Sequence, residues 1–72
     1  MQTAVSMKIS VNGQDRELEY SVTLSELVEI LELGNRRIAV EVNEELVPRS
    51  LFPDHDLNDG DRVEIVHAIG GG

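Results

Sequence analysis

The sequence predicts an α+β domain: a mixed sheet of four to five strands with one main helix packed across one face. Three observations predict it. Two short stretches near the start alternate apolar and polar residues around an Asn-Gly pair. One amphipathic stretch carrying a helix-start signal comes next. Alternation then returns twice before a run of glycines closes the chain. The 72 residues allow one domain, near the lower size limit for a self-sufficient core.

Taken in order, MKISVN sets Met7, Ile9 and Val11 on one side and Lys8 and Ser10 on the other, the period of a half-buried strand. Asn12-Gly13 tolerates positive φ and marks a tight hairpin. RELEYSV alternates again, with Leu18, Tyr20 and Val22 expected to face one way. TLSELVEILELG reads as a helix: Thr23 caps the first turn, and Glu26 three residues on completes a capping box. Leu24, Leu27, Val28 and Leu31 form its apolar stripe, with Ile30 beside it, and Gly34 is expected to supply the left-handed residue that ends it. RIAVEVN turns Ile38, Val40 and Val42 inward, and LVPR adds a short segment that Pro48 confines to an edge or a turn. SLFPDHDL is irregular, with Leu51, Phe52 and Leu57 plugging the core from below. NDGD is a turn, and RVEIVH is the last strand, with Val63 and Ile65 inward.

The order β-β-α-β-(β)-β and the size are those of ubiquitin-like β-grasp domains. Three parts are expected: a flexible leader at 1–6, the β-grasp domain at 7–67, and a flexible glycine-rich tail at 68–72. Three origins fit residues 1–6: a loose leader, an added stretch, or an upstream start with Met7 as the true one.

Composition narrows the function. The net charge is −8, from 14 acidic and 6 basic residues. Such a surface repels phosphate backbones, which argues against nucleic acid and anionic membranes and for a protein partner with a basic docking face. Absence of cysteine removes disulfides, thiolate metal sites and a cysteine nucleophile together. No apolar run approaches the roughly 18 residues of a membrane span. MQTAVSMK lacks the basic start and apolar block of a signal peptide, so a cytoplasmic location is expected.

Catalytic equipment is scarce. His55 and His67 stand far apart in sequence with no obvious nucleophile to serve. The serines show no nucleophile-elbow pattern, and no Gly-rich loop joins a strand to a helix. DHDLNDGD resembles the start of a calcium loop at Asp54, Asp56 and Asn58, but Asp59 stands where glycine is needed and Ile65 where glutamate is. It reads as a solvated acidic loop. The expectation is therefore no catalytic residue, no metal and no cofactor of the chain's own.

The C-terminus remains. Gly70, Gly71 and Gly72 carry no Cβ and can thread a narrow channel. Five residues past His67, at about 3.3–3.6 Å each, reach roughly 16–18 Å. A terminal carboxylate is a poor electrophile when ionised. Adenylation would activate it. Attack by a sulfur nucleophile would then give a thiocarboxylate, and attack by an amine an isopeptide bond. Neither route needs a side-chain nucleophile here, and a frayed, inert end is the bland alternative.

The capped helix TLSEL, the stretch VNEELVPRS and the end DGDRVEIVHAIGGG together resemble the ThiS family of sulfur carriers in thiamin biosynthesis, over residues 7–72. The Gly71-Gly72 pair alone is shared with MoaD-type molybdopterin carriers and ubiquitin-like modifiers. The resemblance implies that Gly72 is adenylated by a ThiF-type adenylyltransferase and converted to a thiocarboxylate with sulfur from a cysteine desulfurase. A ThiG-type thiazole synthase would then take the sulfur. Gly71 would match the family's penultimate glycine, and Gly70 extends it. ATP would belong to the activating partner, and the chain would be a carrier and not an enzyme, monomeric on its own. A carrier for another pathway, such as molybdopterin synthesis, and a protein modifier remain alternatives. Partner docking is expected on the exposed sheet face near the last strand, at Ala39, Glu41, Arg62, Glu64 and Val66, with Val66 and Ile69 as its apolar centre.

Overall fold

A computed structural model of the chain describes residues 6–68. Strands β1 (Met7–Val11) and β2 (Gln14–Leu18) form the opening hairpin, and helix α1 (Leu24–Ile30) follows. Strand β3 (Ile38–Val42) pairs with β4 (Glu45–Val47). A 3-10 helix (Arg49–Asp54) then leads to β5 (Arg62–His67). The five strands lie in the order β2-β1-β5-β3-β4. The β1–β5 pair is parallel and the other pairs are antiparallel, which makes the sheet mixed. This is the β-grasp arrangement expected, with the fourth strand present.

One core fills the space between sheet and helix. Ile9, Val40 and Val63 from the sheet, Leu24 and Leu27 from the helix, and Leu57 from the loop before β5 are almost wholly removed from water. At roughly 25 cal/mol per Å² of apolar surface, this shared interior is the main favourable term in folding. The helix has only seven residues, far too few to persist alone in water, so its packing holds it. Its start carries the expected capping box. The Glu26 N–H donates to Thr23 Oγ1 at 3.1 Å, and the Thr23 N–H donates to Glu26 Oε1 at 2.8 Å.

The helix ends differently from the expectation. It stops at Ile30, and Gly34 does not take a positive φ. Glu32 is the left-handed residue, at φ 61°. The Leu33 N–H donates to the Val28 carbonyl and the Glu32 N–H to the Glu29 carbonyl, both at 2.9 Å. This is a Schellman closure, and its C″ residue, Leu33, packs on the core as such motifs require. Burial of Leu33 has overruled the local preference for glycine. Two further expectations fail for related reasons. Tyr20 is 68% exposed, because β2 ends at Leu18, opposite the first residue of β1, and nothing beyond enforces alternation. Leu51 is half exposed while Phe52 and Leu57 do plug the core, because the three-residue period of a 3-10 helix turns adjacent side chains apart.

Two hairpin turns share a design. Asn12-Gly13 has φ of 52° and 85°, and Asn43-Glu44 has φ of 52° and 71°, as two-residue turns of the primed type need. Both asparagine side chains then bond to β5. Asn12 Oδ1 accepts from the Ile65 N–H at 2.7 Å and its Nδ2 donates to the Ile65 carbonyl at 3.2 Å. Asn43 Oδ1 accepts from the Arg62 N–H at 2.9 Å, while its own N–H donates to the Arg62 carbonyl at 2.7 Å. Each side chain takes the place of a strand residue where the neighbouring strand has turned away.

Two substitutions check the ends of α1. Glu32→Gly should raise stability by about 1 kcal/mol, since a non-glycine residue in the left-handed region costs roughly 1–2 kcal/mol and glycine returns part of that in backbone entropy. Thr23→Ala should lower it by about 1 kcal/mol through loss of the cap. Each shift corresponds to about 4–8 °C in Tm for a domain of this size, read by thermal unfolding. A Glu32→Gly chain that melts no higher than the parent would remove the strain assigned to residue 32.

Candidate functional site

Strand β5 carries the chain to its C-terminal tail, and its pairing sets where that tail begins. On one side β5 runs beside β3 as far as the Ile38–His67 pair. The Ala68 N–H donates to the Arg37 carbonyl at 2.9 Å, so pairing continues one residue further. On the other side β1 covers β5 through Val63, and Asn12 extends that cover to Ile65. β5 is thus held from both flanks as far as Ile65, and from the β3 side alone at His67 and Ala68. Ile69, Gly70, Gly71 and Gly72 lie outside the described residues, as do residues 1–5 of the leader.

The sheet face turned away from the helix gathers the expected docking residues. Ala39 stands opposite Val66, and Glu41 opposite Glu64. Val66 is 61% exposed and Ala39 half-buried. Arg62, at the start of β5, stands opposite Ser10, and its guanidinium lies 3.7 Å from the Glu44 carboxylate. Both partners are exposed, so this pair contributes little to stability. Five of the six docking residues therefore share one face, and the sixth, Ile69, falls on the undescribed tail.

Sequence reasoning missed one member. Leu46 stands opposite Glu41 on β4, is 66% exposed, and lies diagonal to Ala39 across the β3–β4 pair. Val66, Ala39 and Leu46 thus make an apolar band across three strands, crossed by the Glu41–Glu64 pair. The signal was the alternation in Glu45-Leu46-Val47, with Val47 buried and Leu46 out; reading the segment as a strand would have found it. Like charges directly opposite each other across a ladder are destabilising. Two carboxylates held this way, beside exposed leucine and valine, favour a partner that is basic around an apolar patch.

The other candidates take structural places. His67 points to the helix side, opposite Ile38, and with Val11, Arg16, Leu31, Leu33 and Ile65 lines an open groove of about 460 Å³. His55 is half-buried, and its main chain clasps the helix start: its carbonyl accepts from the Leu24 N–H at 2.8 Å. The two histidines are not brought together with a nucleophile. The loop DHDLNDGD is more than a solvated acidic stretch. Asp61 is buried, accepting from the Asn58 N–H at 2.8 Å and from Asn43 Nδ2 at 3.0 Å. Asp59 accepts from the Lys8 N–H at 2.7 Å. These carboxylates organise the turn into β5, and among the described residues no cluster of three metal-ligating side chains occurs.

Comparison with known proteins agrees with this geometry. Residues 9–72 match the model of the ThiS family. The sulfur carrier protein ThiS of Escherichia coli is 32% identical over 66 residues, 92% of this chain and 100% of that protein. A protein named thiazole synthase from Paramagnetospirillum magneticum is 44% identical over 66 residues, which cover 92% of this chain but only 20% of that longer protein. The crystal structure of the thiamine biosynthesis protein ThiS from Geobacter metallireducens superposes with a TM-score of 0.80 at 32% identity, covering 92% of this chain and all of that one. With a matching family model over nearly its whole length and the same fold in a solved relative, the chain belongs to the ThiS family of sulfur carrier proteins.

Proposed function

We propose that this protein carries sulfur for thiazole formation in thiamin biosynthesis, on a thiocarboxylate built at Gly72. The observation that carries the reading is the family match, which runs through residue 72, joined to a last strand pinned on both sides to Ile65 and on the β3 side to Ala68. In the first step a ThiF-type adenylyltransferase joins the Gly72 carboxylate to the α-phosphate of ATP and releases pyrophosphate. A sulfur nucleophile then attacks the acyl carbon and expels AMP. If that nucleophile is a persulfide formed by a cysteine desulfurase, the product is an acyl disulfide, and a second thiol opens it to free the thiocarboxylate. ATP is bound by the activating partner, and this chain acts as its substrate.

A ThiG-type thiazole synthase is the proposed acceptor. Similarity of this chain to a stretch of a protein named thiazole synthase supports that pairing. Docking uses the apolar band of Val66, Ala39 and Leu46 with Glu41 and Glu64 around it, while Gly70 and Gly71 cross the partner's wall. Ordering the tail costs conformational entropy, so the band must supply most of the affinity.

Intact mass after incubation with adenylyltransferase, ATP and a sulfur source should rise by the difference between a sulfur and an oxygen atom. Adducts on lysines of other proteins would instead make the chain a modifier, and an unchanged mass an inert domain. Deletion of Gly72 should abolish the gain while leaving Tm in place, because the core among the described residues runs from Met7 to Ile65.

The docking band has its own check. Leu46→Asp should weaken binding to the synthase about tenfold or more, as an interface anchor does, with no loss of folding. Glu41→Lys or Glu64→Lys should weaken it and flatten its salt dependence. Calorimetric titration at two ionic strengths reads both, and affinities unmoved by all three substitutions would place the partner on another face.

A further inference from the structure

Positive charge is unevenly placed on this chain. Of its six Lys and Arg residues, three belong to the loop that pairs with Ala68 or are bonded to it: Arg36, Arg37 and Arg49. The Arg37 carbonyl accepts from the N–H of Ala68, the last described residue. Arg36 is its neighbour. Arg49 is tied to the same loop, its guanidinium donating to the Gly34 carbonyl at 2.6 Å and the Arg36 carbonyl at 3.0 Å. All three are exposed. Among the described residues, the side-chain ion pairs within 4.0 Å are Lys8–Asp15 and Arg62–Glu44, so no carboxylate there neutralises this cluster. Arg49 has a structural task as a strut. Arg36 and Arg37 donate no side-chain hydrogen bond among the described residues, and the fold gives no reason for two guanidinium groups at this point.

We infer that this arginine collar docks on an acidic rim around the opening through which a partner protein receives the tail. The inference rests on the carrier function proposed above and adds the partner's chemistry at the tail root. Reach separates a protein rim from a nucleotide phosphate. Gly72 stands four residues past Ala68, a span of about 13–14 Å when extended at 3.3–3.6 Å per residue. With the tail extended, a nucleotide reacting at Gly72 would lie farther from the collar than an arginine side chain extends. What surrounds the root at that moment is the wall of the partner. Guanidinium forks match carboxylates in paired hydrogen bonds, so an acidic wall is the complement.

The collar also orients. The sheet face beside it is acidic at Glu41 and Glu64, so the docking side of the molecule presents two signs in a fixed arrangement. A partner with a basic patch and an acidic mouth accepts one orientation, and rotation about the contact sets like charges against each other. Rim charges of this kind act on encounter rate and register more than on lifetime.

The test uses the full chain with a ThiF-type adenylyltransferase and reads ATP–pyrophosphate exchange. An Arg36→Glu/Arg37→Glu variant should raise KM for the carrier about tenfold at low salt, leave kcat and KM for ATP unchanged, and approach the wild type as salt rises. Arg36→Gln/Arg37→Gln should move the carrier's KM in the same direction by less, and it replaces the reversal if that variant melts early. A variant whose carrier KM equals that of a wild-type chain that does exchange overturns the collar alone. A rise in KM for ATP at constant carrier KM overturns it too, by assigning the arginines to phosphate. A wild-type chain that supports no exchange sinks the carrier reading and the collar with it.

Discussion

The pairing of β5 between β1 and β3 is the constraint from which the rest of the molecule follows. The last strand of the chain is the middle strand of the sheet, so every other element must be in place around it. Its inward residues, Val63 and Ile65, sit in the core and its outward residue Val66 faces solvent. Strand pairing alone would leave part of β5 uncovered, because β1 stops at Val11 opposite Val63 and β3 stops at Val42 opposite the same residue. Asn12 and Asn43 close those gaps with side-chain bonds to its backbone, at the turn positions where asparagine also tolerates positive φ. One residue type thus serves two needs at each turn, and the strand leading to the tail is held on both sides from Arg62 to Ile65.

Much of this was legible in the sequence, for identifiable reasons. Alternation in MKISV, IAVEV and RVEIV reported strands with one face buried, and the capping box reported the helix start, since both signals depend on neighbours close in the chain. What escaped depends on distant contacts. Nothing near Glu32 or Glu44 announces a left-handed backbone, which burial of Leu33 imposes on the first and closure of the β3–β4 hairpin on the second. Tyr20 read as inward because its alternation continues past the point where β1 stops offering a partner. Leu46 became visible as a surface anchor only when β4 was seen to pair with β3. The outward placement of Ala39, Glu41, Arg62, Glu64 and Val66 was legible because a strand's outward residues follow from its inward ones; the arginine cluster was not, because Arg49 joins Arg36 and Arg37 through a loop contact.

Stability and function draw on different parts of the chain. The core lies between helix and sheet, while the far side of the sheet carries opposed carboxylates and exposed aliphatic side chains that lie outside that core. In a domain this small, whose margin is a few kcal/mol, such features persist where something outside the monomer rewards them. Backbone strain is spread over Asn12, Glu32, Asn43 and Glu44, all at turns and away from the tail. The scaffold absorbs its distortions on the flanks and keeps a regular ladder where the chain leaves the sheet.

Placing the C-terminal strand at the centre also orders events during synthesis. The parallel contact between β1 and β5 joins residues more than fifty positions apart, so the sheet cannot close until residues 62–67 have left the ribosome. A nascent chain arrested before residue 62 exposes the edges of β1 and β3 to water and has no route to the native core. Shortened products are thereby left for proteolysis, and the pool of folded molecules is restricted to those that already possess their last strand.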